Sequence, residues 1–380
     1  MLKPVYVLGG GQTRFGELWD KSLADLIREA VESAIRETKI LPTDIDAVVI
    51  GNMLGGETAE QAHLGTFCSS LLPHHPPALR VEAACASGGI AIHTACALLE
   101  SNRAETVLVI GAEKLTDVAG ELVTSALMHA ADSEKDGPSG LTFPGIFALT
   151  ATAYMHKYNL TREDLSLVSA QSHKAAVKNP YAQFRREIPA ASISKSPLVA
   201  DPLRLLDCSP ITDGAAALIL STKRESGVRL AASQIGTEAL SLTDRASITS
   251  FASTKTAFAN ALSEADWKRK DIDLVELHDC FSIASLIHLE DMGFASEGEA
   301  IQLFKQGDAD IDGTCPVNMS GGLKACGHPI GATGVKQILD CFKQLTDQAP
   351  NQVQHAKRVL AHNLGGVGAT CTVHLLESVE

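Results

Sequence analysis

The sequence predicts an α/β protein built from two similar halves. Hydrophobic residues make up 45% of the 380 residues but aromatic residues only 4%, so the core is formed by Ala, Val, Ile and Leu, as is typical of helices on a buried sheet. Short apolar strands alternate with amphipathic helices over residues 5–110, which indicates parallel strands joined by right-handed crossovers. Three segments of the first half recur in the second, which indicates a duplicated unit.

The chain begins with a predicted strand at Val5–Leu8, followed by the glycine-rich run GGGQTRFG. This run differs from a dinucleotide-binding fingerprint, because Arg14 occupies the third glycine position and no acidic residue ends a second strand at the required distance. We therefore expect no NAD or FAD site. The elements predicted next are a helix over Ser22–Thr38 with Ser22 as N-cap, strands at Ile45–Ile50 and Ala78–Ala84, a buried helix at Ile90–Glu100, and strands at Thr106–Ile110 and Ala215–Leu220.

The alternation of strands and helices stops between about Leu115 and Pro202, where breaks such as DSEKDGPSG occur. Helices are expected there at Ala151–Tyr158 and Leu165–Lys178, the second capped by Thr161 with Asp164 three residues on. We interpret residues 115–202 as an inserted loop domain that shapes a substrate channel. With a linker at Lys223–Gly227, the predicted halves are residues 1–225 and 226–380.

The internal repeat pairs three segments. DIDAVVIGNM at Asp44 matches DIDLVELHDC at Asp271, CASGGIAIHTACALL at Cys85 matches CGHPIGATGVKQILDC at Cys326, and VLVIGAEK matches VLAHNLGG. Two copies of one unit predict stacked halves related by a pseudo-two-fold axis. In such a fold, helix N-termini from both halves face one cleft.

The composition excludes several function classes. A net charge of −13 without a run of Lys and Arg argues against a nucleic-acid partner or an anionic membrane surface. The sequence has no signal peptide, apolar span or organelle address that we can identify, so a cytoplasmic protein is expected. Nine cysteines without a CxxC pair predict neither a zinc site nor disulfides, and leave one or two as candidate nucleophiles.

The segment VNMSGGLKACGHPIGATG, from Val317 to Gly334, carries the first candidate catalytic residue, His328. Pro329 restricts His328 to extended geometry, and the flanking glycines fix the backbone. The imidazole is therefore presented rigidly, as a catalytic base requires. The alternative is a Gly/Pro turn with an incidental histidine.

Two further segments carry candidate catalytic residues. Cys85 lies between a strand and a helix N-terminus, where free N–H groups and the helix dipole lower a thiol pKa and stabilise an oxyanion. The alternative is an inert buried cysteine such as Cys96. His278 and Cys280 lie in HDCF at the end of a strand, where open α/β sheets bind ligands. The alternative there is a His–Asp pair beside a core cysteine.

Together CASGG, HDCF, GGLKACGHPIGATG and HNLGGVGA resemble the thiolase superfamily over essentially the whole chain. GGGQTRFG and HDCF resemble the subgroup of sterol-carrier-protein-2 thiolase and archaeal acetoacetyl-CoA thiolases, whereas better-known thiolases carry NEAF. The resemblance implies two stacked βαβαβ-type halves in α/β/α/β/α layers. In one respect the chain departs from the family, because His362 occupies the expected place of the C-terminal CxG cysteine.

The resemblance also implies site roles. Cys85 is acylated, His328 activates it, Cys280 moves the substrate α-proton, and His278 holds a water for the enolate. The amide of Cys85 and one from the Leu364–Gly366 turn serve the tetrahedral intermediate, with His362 and Gly365 as pocket residues. Acyl-CoA and CoA are the implied substrates, and no metal or redox cofactor is required.

The resemblance further implies a homodimer or homotetramer with a strand-mediated interface, for which the apolar strand Thr106–Ile110 is the candidate. A small acyl-transfer partner protein is a further expectation. Two functional alternatives remain at this point. One is a C-acyltransferase with a non-CoA acceptor, since ketosynthases use Cys-His-His on the same fold, and the other is a catalytically silent partner in an acyl-transfer complex.

Overall fold

The structure, a computed structural model, describes residues 3–379. Its strands are β1 Val5–Gln12, β2 Ala47–Gly51, β3 Ala78–Val81, β4 Thr106–Glu113, β5 Leu198–Ala200, β6 Leu203–Arg204, β7 Gly214–Ser221, β8 Val228–Thr237, β9 Leu274–Glu276, β10 Arg358–Gly365 and β11 Thr370–Ser378. Its α-helices are α1 Leu23–Thr38, α2 Gly55–Thr58, α3 Leu64–Ser69, α4 Ser87–Glu100, α5 Gly120–Leu127, α6 Phe143–Tyr158, α7 Arg162–Ala176, α8 Ala190–Ile193, α9 Ala252–Ala265, α10 Ser282–Asp291, α11 Ala300–Gln306, α12 Gly322–Cys326 and α13 Ile330–Leu345.

The two halves each contribute one part of a nine-stranded sheet in the order β3-β2-β4-β7-β1-β8-β11-β10-β9. They join only where the start of β1 pairs with β8, through Val5 with Leu230 and Tyr6 with Arg229. The repeat seen in the sequence is present in three dimensions, because β2 lies parallel to β4 in one half and β9 lies parallel to β10 in the other.

The strands predicted over residues 5–110 run parallel to one another, as expected, whereas the complete sheet is mixed. β2 runs parallel to β3 and β4, but β7 runs antiparallel to β4 and β1. In the second half, β11 runs antiparallel to β8 and β10. The cause in the first half is the connection through residues 114–213, which returns the chain to the sheet in the opposite direction.

The layers follow the order α/β/α/β/α, as predicted. Helices α4 and α13 form the central layer, since each packs against strands of both halves. Helix α1 covers the outer face of the first half-sheet, and α9 covers that of the second. The helices of the loop domain lie between β4 and β7 in the chain. Capping boxes at Ser22 and Thr161 begin α1 and α7 as predicted.

Glycines allow the two central helices to touch at their first turns. A Cβ placed on Gly334 would lie 2.2 Å from the Gly89 nitrogen, and one on Gly88 would lie 2.7 Å from the Gly331 carbonyl oxygen. Contacts this short between backbones require residues without a Cβ. The N-terminus of α4 therefore adjoins that of α13, which brings the Cys85 and His328 segments together.

Several element boundaries differ from the prediction. β1 continues through GGGQ, and a Cβ on Gly11 would lie 2.3 Å from the Cβ of Ser33, so these glycines let a strand approach α1. The strand expected at Ala78–Ala84 ends at Val81, and the helix expected from Ala151 begins at Phe143. Thr142 caps that longer helix, and the proline that follows suits its first turn.

The position of β4 corrects the expected subunit interface. β4 lies inside the sheet, paired on both sides, so Thr106–Ile110 offers no free edge. The edge strand of the first half is β3, where Leu79 is half exposed. Within residues 3–379, none of the helices combines the length and apolar character needed to span a bilayer.

Candidate active site

Cys85 lies in the tight turn between β3 and α4. Ala84 adopts a left-handed conformation with φ of 51°. The Ser87 hydroxyl accepts from the Ala83 N–H at 3.0 Å and donates to the Ala84 carbonyl at 2.6 Å. These two hydrogen bonds stabilise the turn, which holds the sulfur of Cys85 at the N-terminus of α4.

The thiol pKa corrects one expectation. Burial raises the pKa of Cys85 to about 12, although the backbone N–H groups of Gly366 and of Cys85 itself lie against the thiol and lower it. Burial therefore outweighs the predicted lowering of the pKa by backbone N–H groups at the start of α4. The N–H of Ser87 bonds to Ala84, and that of Gly89 bonds to the Asn363 side chain. The free thiol is neutral and needs a base.

His328 is presented between α12 and α13, as the sequence predicts. Gly327 has φ of 110° and Pro329 is the N-cap of α13. The Nδ1 atom of His328 lies 2.7 Å from the Thr333 hydroxyl oxygen. Its Nε2 atom is buried and has no partner among the described residues. Burial lowers the pKa of His328 to about 3, so the ring is neutral at physiological pH.

His278 follows β9 and is almost fully buried. Its ring meets that of His328 edge to face, with centroids 4.9 Å apart and planes at 89°. Its Nδ1 atom lies 3.0 Å from the Asn363 amide nitrogen. Burial and the neighbouring His328 lower its pKa well below the usual value.

The three residues form one cluster. The sulfur of Cys85 and one nitrogen each of His278 and His328 lie within 4.8 Å of one another. Cysteine and histidine are also ligands for zinc, and among residues 3–379 this is the only group of three or more Cys, His, Asp or Glu side chains close enough to share an ion.

An apolar cavity of about 240 Å³ opens onto the cluster. Cys85, His328 and Cys280 line it, so Cys280 lies where the sequence predicts. Burial, followed by the proximity of Cys85, raises the pKa of the Cys280 thiol well above its ordinary value. The cavity is also lined by Met53, Leu115, Thr124, Leu127, Ala130, Phe143, Pro144, Cys208, Ser209, Pro210, Ile211, Phe281, Ile330 and Gly366.

His362 and Gly365 do not line this cavity, which corrects their assignment as pocket residues. His362 Nδ1 accepts from the His278 backbone N–H at 3.4 Å, and Nε2 lies 3.1 Å from the Thr254 hydroxyl oxygen. Because successive residues of a strand face opposite sides, His362 points away from Cys85 and its neighbour Asn363 points towards it. The backbone donor at the thiol is Gly366.

The sequence did not point to Asn363 or Thr333, whereas Gly366 belongs to the Leu364–Gly366 turn from which a backbone donor was expected. Asn363 and Thr333 each act through a contact with another segment or with the backbone, which no local motif displays. The strand alternation within HNLGG was the one available signal for Asn363, because it places His362 and Asn363 on opposite faces.

Known protein families match the chain along most of its length. A family model described as the N-terminal domain of thiolase matches residues 5–224, and one described as thiolase C-terminal domain-like matches residues 235–378. The chain belongs to the thiolase family. This confirms the resemblance drawn from CASGG, HDCF, GGLKACGHPIGATG and HNLGGVGA.

Among curated thiolase relatives, the acetyl-CoA acetyltransferase of Methanothermobacter thermautotrophicus is 43% identical, over 98% of this chain and 99% of that protein. That of Methanocaldococcus jannaschii is 40% identical, over 99% of each. Human sterol carrier protein 2 is 32% identical over 97% of this chain and 71% of its own length. These relatives confirm the predicted subgroup.

Solved structures show the same fold. A chain of the Ltp2-ChsH2(DUF35) aldolase superposes with a TM-score of 0.85 at 22% identity, covering 99% of this chain and 98% of that one. Human mitochondrial 3-ketoacyl-CoA thiolase superposes with a TM-score of 0.75 at 20% identity, covering 100% and 99%. These likenesses establish the thiolase fold.

Proposed function

We propose that the protein is an acyl-CoA C-acyltransferase of the thiolase type, which cleaves or forms 3-ketoacyl-CoA reversibly through an acyl-cysteine. The observation that carries the proposal is the cluster of Cys85, His278 and His328 within 4.8 Å, together with a cavity that is lined by Cys85, His328 and Cys280. Nucleophile, base and second proton carrier therefore converge on one small volume. The acetyl-CoA acetyltransferases that share 40–43% identity support the substrate class.

The first half-reaction acylates Cys85. His328 takes the thiol proton on Nε2, and the thiolate attacks the thioester carbonyl carbon of an acyl-CoA. The N–H groups of Cys85 and Gly366, which already lie against the sulfur, donate to the oxyanion of the tetrahedral intermediate. The C–S bond to CoA then breaks, Cys280 gives its proton to the departing CoA thiolate, and an imidazolium on His328 faces a thiolate on Cys280.

The second half-reaction forms the carbon–carbon bond. The Cys280 thiolate removes an α-proton from a second acetyl-CoA, and the enolate oxygen is stabilised by His328 together with a water held by His278. The enolate carbon attacks the acyl carbonyl, the bond to the Cys85 sulfur breaks, and His328 returns its proton to that sulfur. Thiolysis is the reverse. The thioester supplies its own activated carbonyl, so these steps need no metal or redox cofactor.

The assembly state forms a second part of the proposal. We propose a homodimer, or a homotetramer built from it, joined through the edge strand β3 rather than β4, because an unpaired strand edge is a template for pairing with a second copy. Light scattering should give at least twice the 40.1 kDa chain mass. We further propose that the protein acts in lipid metabolism in the cytoplasm. A small acyl-transfer partner protein is also proposed.

One assay separates the proposed function from its rivals. The protein is incubated with acetoacetyl-CoA and CoA while the enolate absorbance is followed, and separately with acetyl-CoA alone. A thiolase consumes acetoacetyl-CoA only when CoA is present. An enzyme with a non-CoA acceptor acylates Cys85 but does not consume acetoacetyl-CoA, and a silent partner does neither.

A further inference from the structure

Asn363 connects the nucleophile turn to His278 through one amide group. Its Oδ1 atom accepts from the Gly89 N–H at 3.1 Å, and its Nδ2 atom donates to the Cys85 carbonyl at 3.0 Å. A backbone N–H can only donate and a backbone carbonyl can only accept. The two contacts together therefore fix which end of the amide carries the hydrogens.

The fixed amide determines the tautomer of His278. The Asn363 Nδ2 atom, 3.0 Å from His278 Nδ1, is a donor, so Nδ1 must accept. A ring nitrogen that accepts a hydrogen bond is unprotonated, so the ring is neutral and its one proton is on the other nitrogen. The proton of His278 therefore lies on Nε2.

His328 has the opposite tautomer for an equally local reason. The Thr333 hydroxyl donates to the Pro329 carbonyl at 2.9 Å, so its oxygen accepts from His328 Nδ1 at 2.7 Å. The lone pair of His328 then lies on Nε2, the atom that lacks a partner. One histidine presents a base to the site while the other presents a donor.

We propose that Asn363 is a positioning residue that holds His278 as the Nε2–H tautomer, and that this hydrogen bond prevents Cys85, His278 and His328 from acting as a zinc site. Metal-binding histidines donate their second N–H to a carboxylate or carbonyl, which leaves a lone pair for the metal. His278 has the reverse arrangement, with one nitrogen bonded to a donor and the other protonated. Its ring thus has no free lone pair for an ion.

Without that bond, the spacing would suit zinc. Zn–S and Zn–N bonds are about 2.3 Å and about 2.0–2.1 Å long, so donor atoms within 4.8 Å of one another can close on one ion after side-chain movements of about 1 Å. Only one part rests on the proposed function, namely that the N–H donor of His278 serves the enolate during catalysis. The tautomer and the zinc affinity are measurable without turnover.

The substitution Asn363→Asp tests the proposal by reversing the hydrogen bond to His278 Nδ1. It also removes the hydrogen bond that the amide donates to the Cys85 carbonyl, so only folded variant protein is compared. An aspartate carboxylate accepts from Nδ1–H, moves the lone pair of His278 to Nε2, and still accepts from the Gly89 N–H. The variant should bind one zinc ion per chain about 10–100-fold more tightly than the unaltered protein, the usual effect of a partner behind a metal-binding histidine. Competition with a chromophoric zinc chelator measures the affinity.

Two controls assign the effect. Adding Cys85→Ala to Asn363→Asp should remove the gained affinity, because one ligand is lost. Nitrogen-15 NMR of histidine-labelled protein, with His278→Gln to assign the signals, should show the proton on Nε2 in the unaltered protein and on Nδ1 in Asn363→Asp. The spectrum of the unaltered protein tests the proposal even if Asn363→Asp does not fold.

A His278 proton on Nδ1 in the unaltered protein, or equal zinc affinity in the unaltered protein and a folded Asn363→Asp, would overturn the proposal. If the unaltered protein lacks thiolase activity while both readouts come out as expected, the proposed function fails and the positioning role of Asn363 stands.

Discussion

His278 and His328 meet edge to face, with ring centroids 4.9 Å apart and planes at 89°, and their hydrogen bonds place their protons on opposite nitrogens. Burial keeps both rings neutral. Acyl transfer followed by condensation needs a base for the thiol and a donor for the enolate oxygen. The two histidines supply both without any change of charge in the resting enzyme.

Gly334→Ala should disrupt the central layer. The new Cβ would lie 2.2 Å from the Gly89 nitrogen, which belongs to the backbone and cannot move alone. Forced overpacking of this kind costs about 1–3 kcal/mol or more, and the displaced helices should separate Cys85 from His328. The urea concentration at the unfolding midpoint and the rate of acetyl transfer should both be lower than in the unaltered protein. Gly120→Ala is the matched control, because no atom lies within 4 Å of the added Cβ, and its stability should change by about 0.5 kcal/mol or less.

Cys280→Ser should separate the two half-reactions. Cys85 should still accept an acetyl group, because the departing CoA thiolate can take its proton from water instead of Cys280. Condensation should fall by about 10²–10⁴-fold, the usual contribution of a positioned proton-transfer group. Turnover and α-proton exchange of acetyl-CoA in deuterated buffer are the measurements. Cys208→Ala removes another thiol of the cavity, and its turnover and α-proton exchange should fall by less than about tenfold. Equal losses in the two variants would remove Cys280 from the mechanism.

His362→Ala should weaken the fold without abolishing proton transfer. Both ring nitrogens of His362 contact protein groups, and removing the ring leaves the buried His278 N–H without an acceptor, which costs about 1–3 kcal/mol. The unfolding midpoint should fall while α-proton exchange remains. If exchange is lost in His362→Ala but kept in Cys280→Ser, His362 is the base and the assignment of Cys280 is wrong.

Acid should destabilise the protein between pH 6.5 and about 4. Burial lowers the pKa of His328, His362 and His374 to about 3 and that of His173 to about 4. In the unfolded chain these histidines titrate near 6.5, so the unfolded state binds more protons in this range. Their contribution to stability is complete above pH 6.5 and decreases as the pH falls, by about 1.4 kcal/mol per pH unit for each ring.

Buried carboxylates oppose this trend: burial raises the pKa of Asp291 to about 6, and two glutamates are shifted further, which makes three such carboxylates against the four histidines. Burial raises the pKa of Glu113 and Glu276 to about 7, so their contribution is complete below about pH 4.5 and is lost as the pH rises. Urea unfolding should therefore show lower stability at pH 5.5 than at pH 7.5. Equal or higher stability at pH 5.5 would mean that these histidines are protonated in the native state.

Local signals predicted the parts of the fold that depend on neighbouring residues. The caps at Ser22 and Thr161 set helix starts correctly because an N-cap contacts only the first turn that follows it. The GGGQ run was not recognised as part of a strand. Its glycines are required by close contact with helix α1 at Ser33, which the local sequence does not show. The antiparallel direction of β7 was also not predicted, because it is set by the long connection through residues 114–213 and not by the strand itself.

In the site, too, features set by neighbouring residues were predicted and features set by distant contacts were not. Cys85 and His328 were predicted because each lies in its own glycine-rich motif, and His278 and Cys280 because they share the strand-end motif HDCF. Asn363 was missed because its partners lie far away in the chain, with Gly89 at a separation of 274 residues. The thiol pKa was predicted in the wrong direction, because the sequence does not show how strongly the fold desolvates Cys85.

Intact-protein mass after treatment with acetyl-CoA tests the central claim most directly. We expect one acetyl group per chain on the unaltered protein and on Cys280→Ser, and none on Cys85→Ala, because only Cys85 combines the base His328 with the backbone donors at Cys85 and Gly366. An acetyl group that persists on Cys85→Ala at the same stoichiometry would contradict this claim.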